Sequence, residues 1–215
     1  ANDLTVGGGG LTVTAASGDL DLTGAIVAGS ETVTVDGGQT TTLGGAITGD
    51  GAINMTGPGT LYITADSGGT FTGLLDVDAG TTNLSGQLGG NTEIAGGTLS
   101  ISGNLGGDAT VDGGTLEVTS AGTVGGAVNH NAGTFEVNAG TTLGGPLNIA
   151  GGAINNDDAA ATISAATNVN GDFQITGGEA IEFTGGVDLG ASDRTFDISN
   201  TAGVTFSGVV SNGSL

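Results

Sequence analysis

Apolar residues recur at every second position of this chain, in short segments separated by glycine and polar residues. Four such segments are Leu61-x-Ile63, Leu99-x-Ile101, Leu116-x-Val118 and Phe135-x-Val137. A period of two places alternate side chains on opposite faces, so each segment predicts a short strand with one buried face. No stretch carries an apolar stripe of period 3.6, and we therefore expect almost no helix.

A glycine opens most of these segments and repeats along the chain. The glycines at Gly80, Gly97, Gly114, Gly133 and Gly152 are 17, 17, 19 and 19 residues apart. Gly-Gly pairs that follow Leu or Val recur in the same phase, for example Leu88-Gly89-Gly90. A unit this short cannot bury its own apolar face, so the units must stack on one another.

The repeat predicts an all-β fold, a single-stranded right-handed parallel β-helix (β-solenoid) of roughly 10 to 11 coils with about 17 to 25 residues each. Residues 1–215 are expected to form one solenoid domain, and a β-sandwich is the alternative. We expect the Ala-rich residues 158–161 to form a protruding loop, and the coils beyond Asp157 to lengthen to about 25 residues. The expected inward structural ladder consists of Leu61, Leu99, Leu116, Phe135, Ile154, Ile63, Leu84, Ile101, Val118 and Val137.

Residues 43–84 contain an ordered set of motifs. These are Gly45-x-Ile47-x-Gly49-x-Gly51, Gly57-x-Gly59-Thr60-Leu61-x-Ile63, Thr70-Phe71-x-Gly73 and Val77-x-x-Gly80-Thr81. This order resembles the passenger-associated repeat of bacterial autotransporters. The chain departs from the family at Met55-Thr56, where Lys is usual, and at Thr82, where Leu is usual. Residues 204–215 resemble the start of a second copy, so we expect a fragment or repeat subunit of a longer polypeptide.

The resemblance implies a β-helical passenger on the outside of a Gram-negative cell, with an extracellular or outer-membrane-surface location. We therefore expect a structural rod, an adhesin stalk or scaffold. The first and last coils, at residues 4–13 and 204–210, have no charged or proline-bearing cap. Because uncapped strand edges are templates for pairing, self-association through the terminal coils into filaments is a further expectation.

Two other functions stay open. One is an adhesin that recognises a glycan or protein of a host or neighbouring cell through one face, with Tyr62 as its only obvious outward aromatic residue. The other, less favoured, is a polysaccharide-active β-helix enzyme. Thr-x-Thr pairs such as Thr12/Thr14 and Thr32/Thr34 are typical of ice-binding solenoids, but they do not recur at one offset of the repeat.

The strongly acidic composition argues against nucleic acids and anionic membranes as partners. Arg194 is the only basic residue, whereas 22 residues are Asp or Glu, and the formal net charge is −21. Because Lys and Arg are needed to displace counterions from phosphates, we expect no nucleic-acid partner and no docking on anionic membranes. No apolar run approaches the ~20 residues that cross a bilayer, so we expect no membrane insertion of this segment. The chain has no Cys, which excludes disulfides and thiolate metal sites.

Few groups are available for catalysis. His130 is the only histidine, and its offset in the repeat matches Val111 and Ile149, so we expect a structural residue that points inward or into a corner. Convergent titratable groups are missing, and we expect no catalytic residue, no cofactor-binding residue and no enzyme activity. We expect no cofactor. Weak calcium binding at Glu117 and Glu136, which the repeat stacks on adjacent coils, is the alternative.

Overall fold

The computed structural model describes residues 3–214, without the side chain of Ser214. Within this range there are 32 strands and no helix, and hence no helix that could span a membrane. The chain visits three faces in turn, one strand on each, and the strands of successive turns pair in parallel. Ten complete coils and an eleventh of two strands result, which confirms the predicted β-solenoid.

Face 1 holds the shortest strands, divided into sheets of three, five and three strands. Its strands are β1 (Leu4–Thr5), β4 (Ile26–Gly29), β7 (Ile47–Gly49), β10 (Asp66–Ser67), β13 (Gln87–Leu88), β16 (Asn104–Leu105), β19 (Thr123–Val124), β22 (Thr142–Leu143), β25 (Ala161–Ile163), β28 (Ile181–Phe183) and β31 (Val204–Phe206).

Faces 2 and 3 are continuous sheets of eleven and ten strands. Face 2 contains β2 (Leu11–Val13), β5 (Val33–Val35), β8 (Ala52–Met55), β11 (Leu74–Val77), β14 (Asn91–Ile94), β17 (Ala109–Val111), β20 (Val128–His130), β23 (Leu147–Ile149), β26 (Thr167–Val169), β29 (Val187–Asp193) and β32 (Val210–Ser214). Face 3 contains β3 (Leu20–Leu22), β6 (Thr40–Leu43), β9 (Thr60–Ile63), β12 (Thr81–Leu84), β15 (Thr98–Ile101), β18 (Thr115–Val118), β21 (Thr134–Val137), β24 (Ala153–Asn156), β27 (Phe173–Gly177) and β30 (Phe196–Ile198).

The core lies between the three faces and is built from columns of alternate side chains. On face 3 the two inward columns contain all ten residues of the expected ladder, each of them 0% exposed. Each such side chain contributes roughly 1.5–3 kcal/mol by leaving water. Two members of the first column are polar: Thr82 stands in register between Leu61 and Leu99, and Thr41 is in register with Leu61.

Glycine is required at the corners chiefly because stacked backbones approach each other closely there. A β-carbon on Gly90 would lie 1.8 Å from the carbonyl oxygen of Gly73, one coil below. Gly97 adds a second requirement, since its φ of +61° lies in the left-handed region that favours glycine. The repeated glycines therefore set how tightly the coils can stack.

The expected Ala-rich loop is only partly correct: residues 158–160 are exposed and lie outside any strand, but they do not protrude as a separate loop. Residues 157–160 form a tight corner, and Ala161 already belongs to β25 with 4% exposure. Asn156 holds this corner from inside, because its Nδ2 donates to the carbonyl oxygens of Ala159 (2.8 Å) and Ala180 (3.0 Å). The strand registers also give 20 to 23 residues per coil beyond this corner, less than the expected 25.

Candidate functional site

His130 lies in the interior, in an apolar column between Val111 and Ile149. The side chain is 0% exposed, and neither ring nitrogen has a hydrogen-bond partner. The ring packs against Phe135, with 6.5 Å between ring centroids. Burial lowers the pKa of His130 from 6.5 to about 4, and the backbone of Ala153 acts in the opposite direction. The imidazole is therefore neutral near pH 7.

Glu117 and Glu136 are in register on adjacent coils of face 3. Amide groups bind both carboxylates: Asn138 Nδ2 donates to Glu117 Oε1 (3.3 Å), and Asn155 Nδ2 donates to Glu136 Oε2 (2.7 Å). Asn155 Nδ2 also donates to Asp157 Oδ2 (3.0 Å). The Asn155 amide, followed by the backbone N–H of Gly178, lowers the pKa of Asp157. Amide donors thus reduce the repulsion along this row of carboxylates.

A second acidic group lies on face 2. Asp76 is in register with Asn54 below and Glu93 above. Partial burial raises the pKa of Asp76, and the charges of Asp78 and Glu93 add to the shift. Across residues 3–214, no three His, Cys, Asp or Glu side chains form a group that could hold a metal ion.

Many acidic and amide side chains close the corners between coils rather than forming a site. Asp3, Asp19, Asp108 and Asp172 each accept a hydrogen bond from a backbone N–H one coil further along, at 2.7 to 3.2 Å. On face 2, Asn148 donates to Asn129 and Asn168 donates to Asn148, both at 2.8 Å. These contacts satisfy the hydrogen bonding of backbone N–H groups and amide side chains between successive coils.

Threonine forms a single outward ladder on face 3. It runs without a break through Thr40, Thr60, Thr81, Thr98, Thr115 and Thr134. The neighbouring outward column is mixed, and Tyr62 stands out of it at 41% exposure. Two adjacent threonine columns, as in an ice-binding face, are therefore not formed.

An open groove of about 530 Å³ lies on the upper part of face 3. Its floor is Gly133, Gly152 and Ala153, and its walls are Asp172, Phe173, Gln174, Thr195 and Asp197. The regular spacing of the repeat did not single out these wall residues. The signal that could have found them is the loss of the glycine column, because Phe173 and Phe196 take the positions that glycine holds in the coils below.

Comparison with protein-family models, with curated proteins and with solved structures finds no match to this chain. The properties of the candidate sites therefore follow from their geometry alone.

Proposed function

We propose that this chain is a structural, non-enzymatic rod of a bacterial surface protein, a stalk or scaffold of the autotransporter-passenger type outside the cell. The motifs in residues 43–84 support the family, and the unbroken columns of faces 2 and 3 carry the mechanical part of the proposal. Parallel backbone ladders along the whole solenoid resist bending and local opening, because each coil is hydrogen-bonded to the coils above and below. Carboxylates on the outside keep neighbouring rods apart.

Electron microscopy and activity assays test this proposal together. We expect rigid rods of uniform width, and no hydrolase or lyase activity on acidic polysaccharides. The two carboxylates do not need calcium to offset their repulsion, since amide donors already bind Glu117 and Glu136. We expect the same melting temperature in calcium and in a chelator. Flexible particles, or turnover of a polysaccharide that survives purification to homogeneity, would refute the structural role.

End-to-end assembly is the second part of the proposal, and it rests on the last coil. Ile198, Val209 and Val210, in the last two coils, are 48%, 75% and 39% exposed, so this end presents three large apolar side chains to solvent. One inward column of face 2 runs the whole length of the solenoid, from Leu11 to Val210. A second copy that places its first coil here would bury these side chains and pair the free strand edges.

Sedimentation of Val209→Asp tests the assembly. We expect the parent chain to form oligomers that grow with concentration, and Val209→Asp to stay monomeric. Val27→Asp is the matched control, because Val27 is also exposed (40%) but lies on the side of the rod in β4. Monodisperse short rods of the parent chain at every concentration would exclude end-to-end stacking.

A further inference from the structure

The groove on face 3 has a floor of glycine and alanine, and all but one of its wall residues are polar. Ala153, Gln174 and Asp197 occupy the same outward position on three successive coils, so the surface rises in height from a methyl group to longer polar groups. Asp172 and Thr195 close the corner beside them, where Asp172 Oδ1 accepts a hydrogen bond from the Thr195 N–H (2.9 Å). That bond fixes the Asp172 carboxylate at the rim.

His130 lies directly behind the groove floor. A β-carbon on Gly152 would lie 2.6 Å from His130 Nε2 and 2.8 Å from Cε1, so one backbone layer separates the imidazole from the groove. His130 is fully buried and neither nitrogen is hydrogen-bonded. Hydrophobic packing needs no imidazole at this position of an otherwise apolar column. This unpartnered polar group behind the floor is independent of the polar walls.

The charge of the groove defines the ligand. Asp172 and Asp197 contribute two carboxylates, and none of the lining residues is basic. An anionic ligand is repelled by this site and by a chain of net charge −21. Carboxylates only accept hydrogen bonds, and they bind most strongly to charged donors. Gln174 and Thr195 can both donate and accept, which suits hydroxyl groups.

We propose that this groove binds a small hydroxylated ammonium compound of the amino-sugar class. The ammonium group lies between the Asp172 and Asp197 carboxylates, and the hydroxyl groups contact Gln174 and Thr195. The open groove, at about 530 Å³, is larger than one sugar unit requires, so it also admits the unit at the end of a longer chain. This binding does not depend on the mechanical role of the rod.

The only histidine of the chain provides the assay. We would titrate the full chain with glucosamine at about pH 6, where the amine is protonated, and follow the Cε1–H proton resonance of His130 by NMR. Because Cε1 lies behind Gly152, occupation of the groove is expected to shift this resonance to saturation. Glucose, which has the same hydroxyl pattern without the charge, is expected to bind at least tenfold more weakly.

Variants separate this site from general charge attraction. Asp172→Asn combined with Asp197→Asn is expected to weaken glucosamine binding at least tenfold. Asp21→Asn, an outward carboxylate of β3 at the far end of face 3, is expected to leave it unchanged. The His130 resonance itself shows whether each variant keeps its fold. No saturable shift with glucosamine, an equal response to glucose, or full binding by the double variant would each overturn the proposal.

Discussion

The imidazole of His130 is a base that the folded chain holds in its neutral form. Its pKa falls from 6.5 to about 4 on folding because burial penalises the charged form. The unfolded chain therefore binds a proton before the folded chain does. As far as His130 is concerned, the free energy of unfolding is highest above pH 6.5. It declines as the pH falls from 6.5 towards 4, and the loss is about 2 kcal/mol by pH 5.

His130→Val isolates this contribution, since valine matches the apolar column and does not titrate. We expect the variant to be about 1–3 kcal/mol more stable at pH 7, because the unpaired ring nitrogens are gone. Between pH 7 and pH 5 it should lose about 2 kcal/mol less than the parent chain. Urea unfolding at several pH values measures both effects. Parallel stability curves would show that His130 does not titrate in the interior.

Two buried threonines differ in whether their hydroxyl groups have a hydrogen-bond partner. Thr82 is 0% exposed and its Oγ1 has no partner, whereas Thr92 is 2% exposed and its Oγ1 donates to the carbonyl oxygen of Leu75 (2.7 Å). We expect Thr82→Val to raise the free energy of unfolding by about 1 kcal/mol and Thr92→Val to lower it by about 1 kcal/mol. Thermal denaturation of the two variants measures both changes. A higher stability of Thr92→Val, or a lower stability of Thr82→Val, would contradict the hydrogen bonding described for these two residues.

At the scale of the element, the corner between faces 1 and 2 depends on glycine for contact between coils. A β-carbon at Gly90 overlaps the Gly73 carbonyl oxygen, and backbone cannot move aside as a flexible side chain can. We expect Gly90→Ala to cost at least about 2 kcal/mol. Gly38→Ala is the control, because no atom lies within 4 Å of its β-position. If melting temperatures show equal losses for both variants, close stacking is not the reason for the corner glycines.

On face 3, amide side chains that lie between carboxylates contribute to the stability of the strands. In Asn155→Asp, the donor to Glu136 and Asp157 is lost and a third negative charge is added between them. We expect a loss of about 1–2 kcal/mol that shrinks as salt is added. Asn83→Asp serves as the control, since Asn83 has the same outward position but stands between Tyr62 and Ser100. Equal, salt-independent effects would leave the amide row without a stabilising role.

The elements of faces 2 and 3 could be predicted because their strands contain two inward residues each, as in Leu116-x-Val118. The strands of face 1 are often two residues long, such as β13 (Gln87–Leu88), so one inward residue shows no alternation, and only the Leu-Gly-Gly repeat marks their place. The corner after Asn156 was missed because the hydrogen bonds of one buried amide, not local composition, decide its shape. The groove was missed for a related reason: Asp172 and Gln174 meet Asp197 only once the register of two successive coils is known.

At the scale of the whole molecule, every property above requires coils that lie in register from one end to the other. The interior is one continuous cluster of buried side chains from Val6 to Leu189. A solenoid of this kind gains stability from nearest-neighbour contacts, so its length is set by the number of coils. Distances along one column must then increase in proportion to the number of coils between two residues.

The most direct test is a pair of distances along the outward column of face 3. This column joins Thr40 to Thr134 in five steps and Thr40 to Asp197 in eight. Spin labels on cysteines placed at these pairs, in a chain with no Cys of its own, would be measured by pulsed electron paramagnetic resonance. We predict about 24 Å for the first pair and about 38 Å for the second, at ~4.8 Å per coil. Equal distances, or a longer distance for the first pair, would contradict the stacked-coil structure.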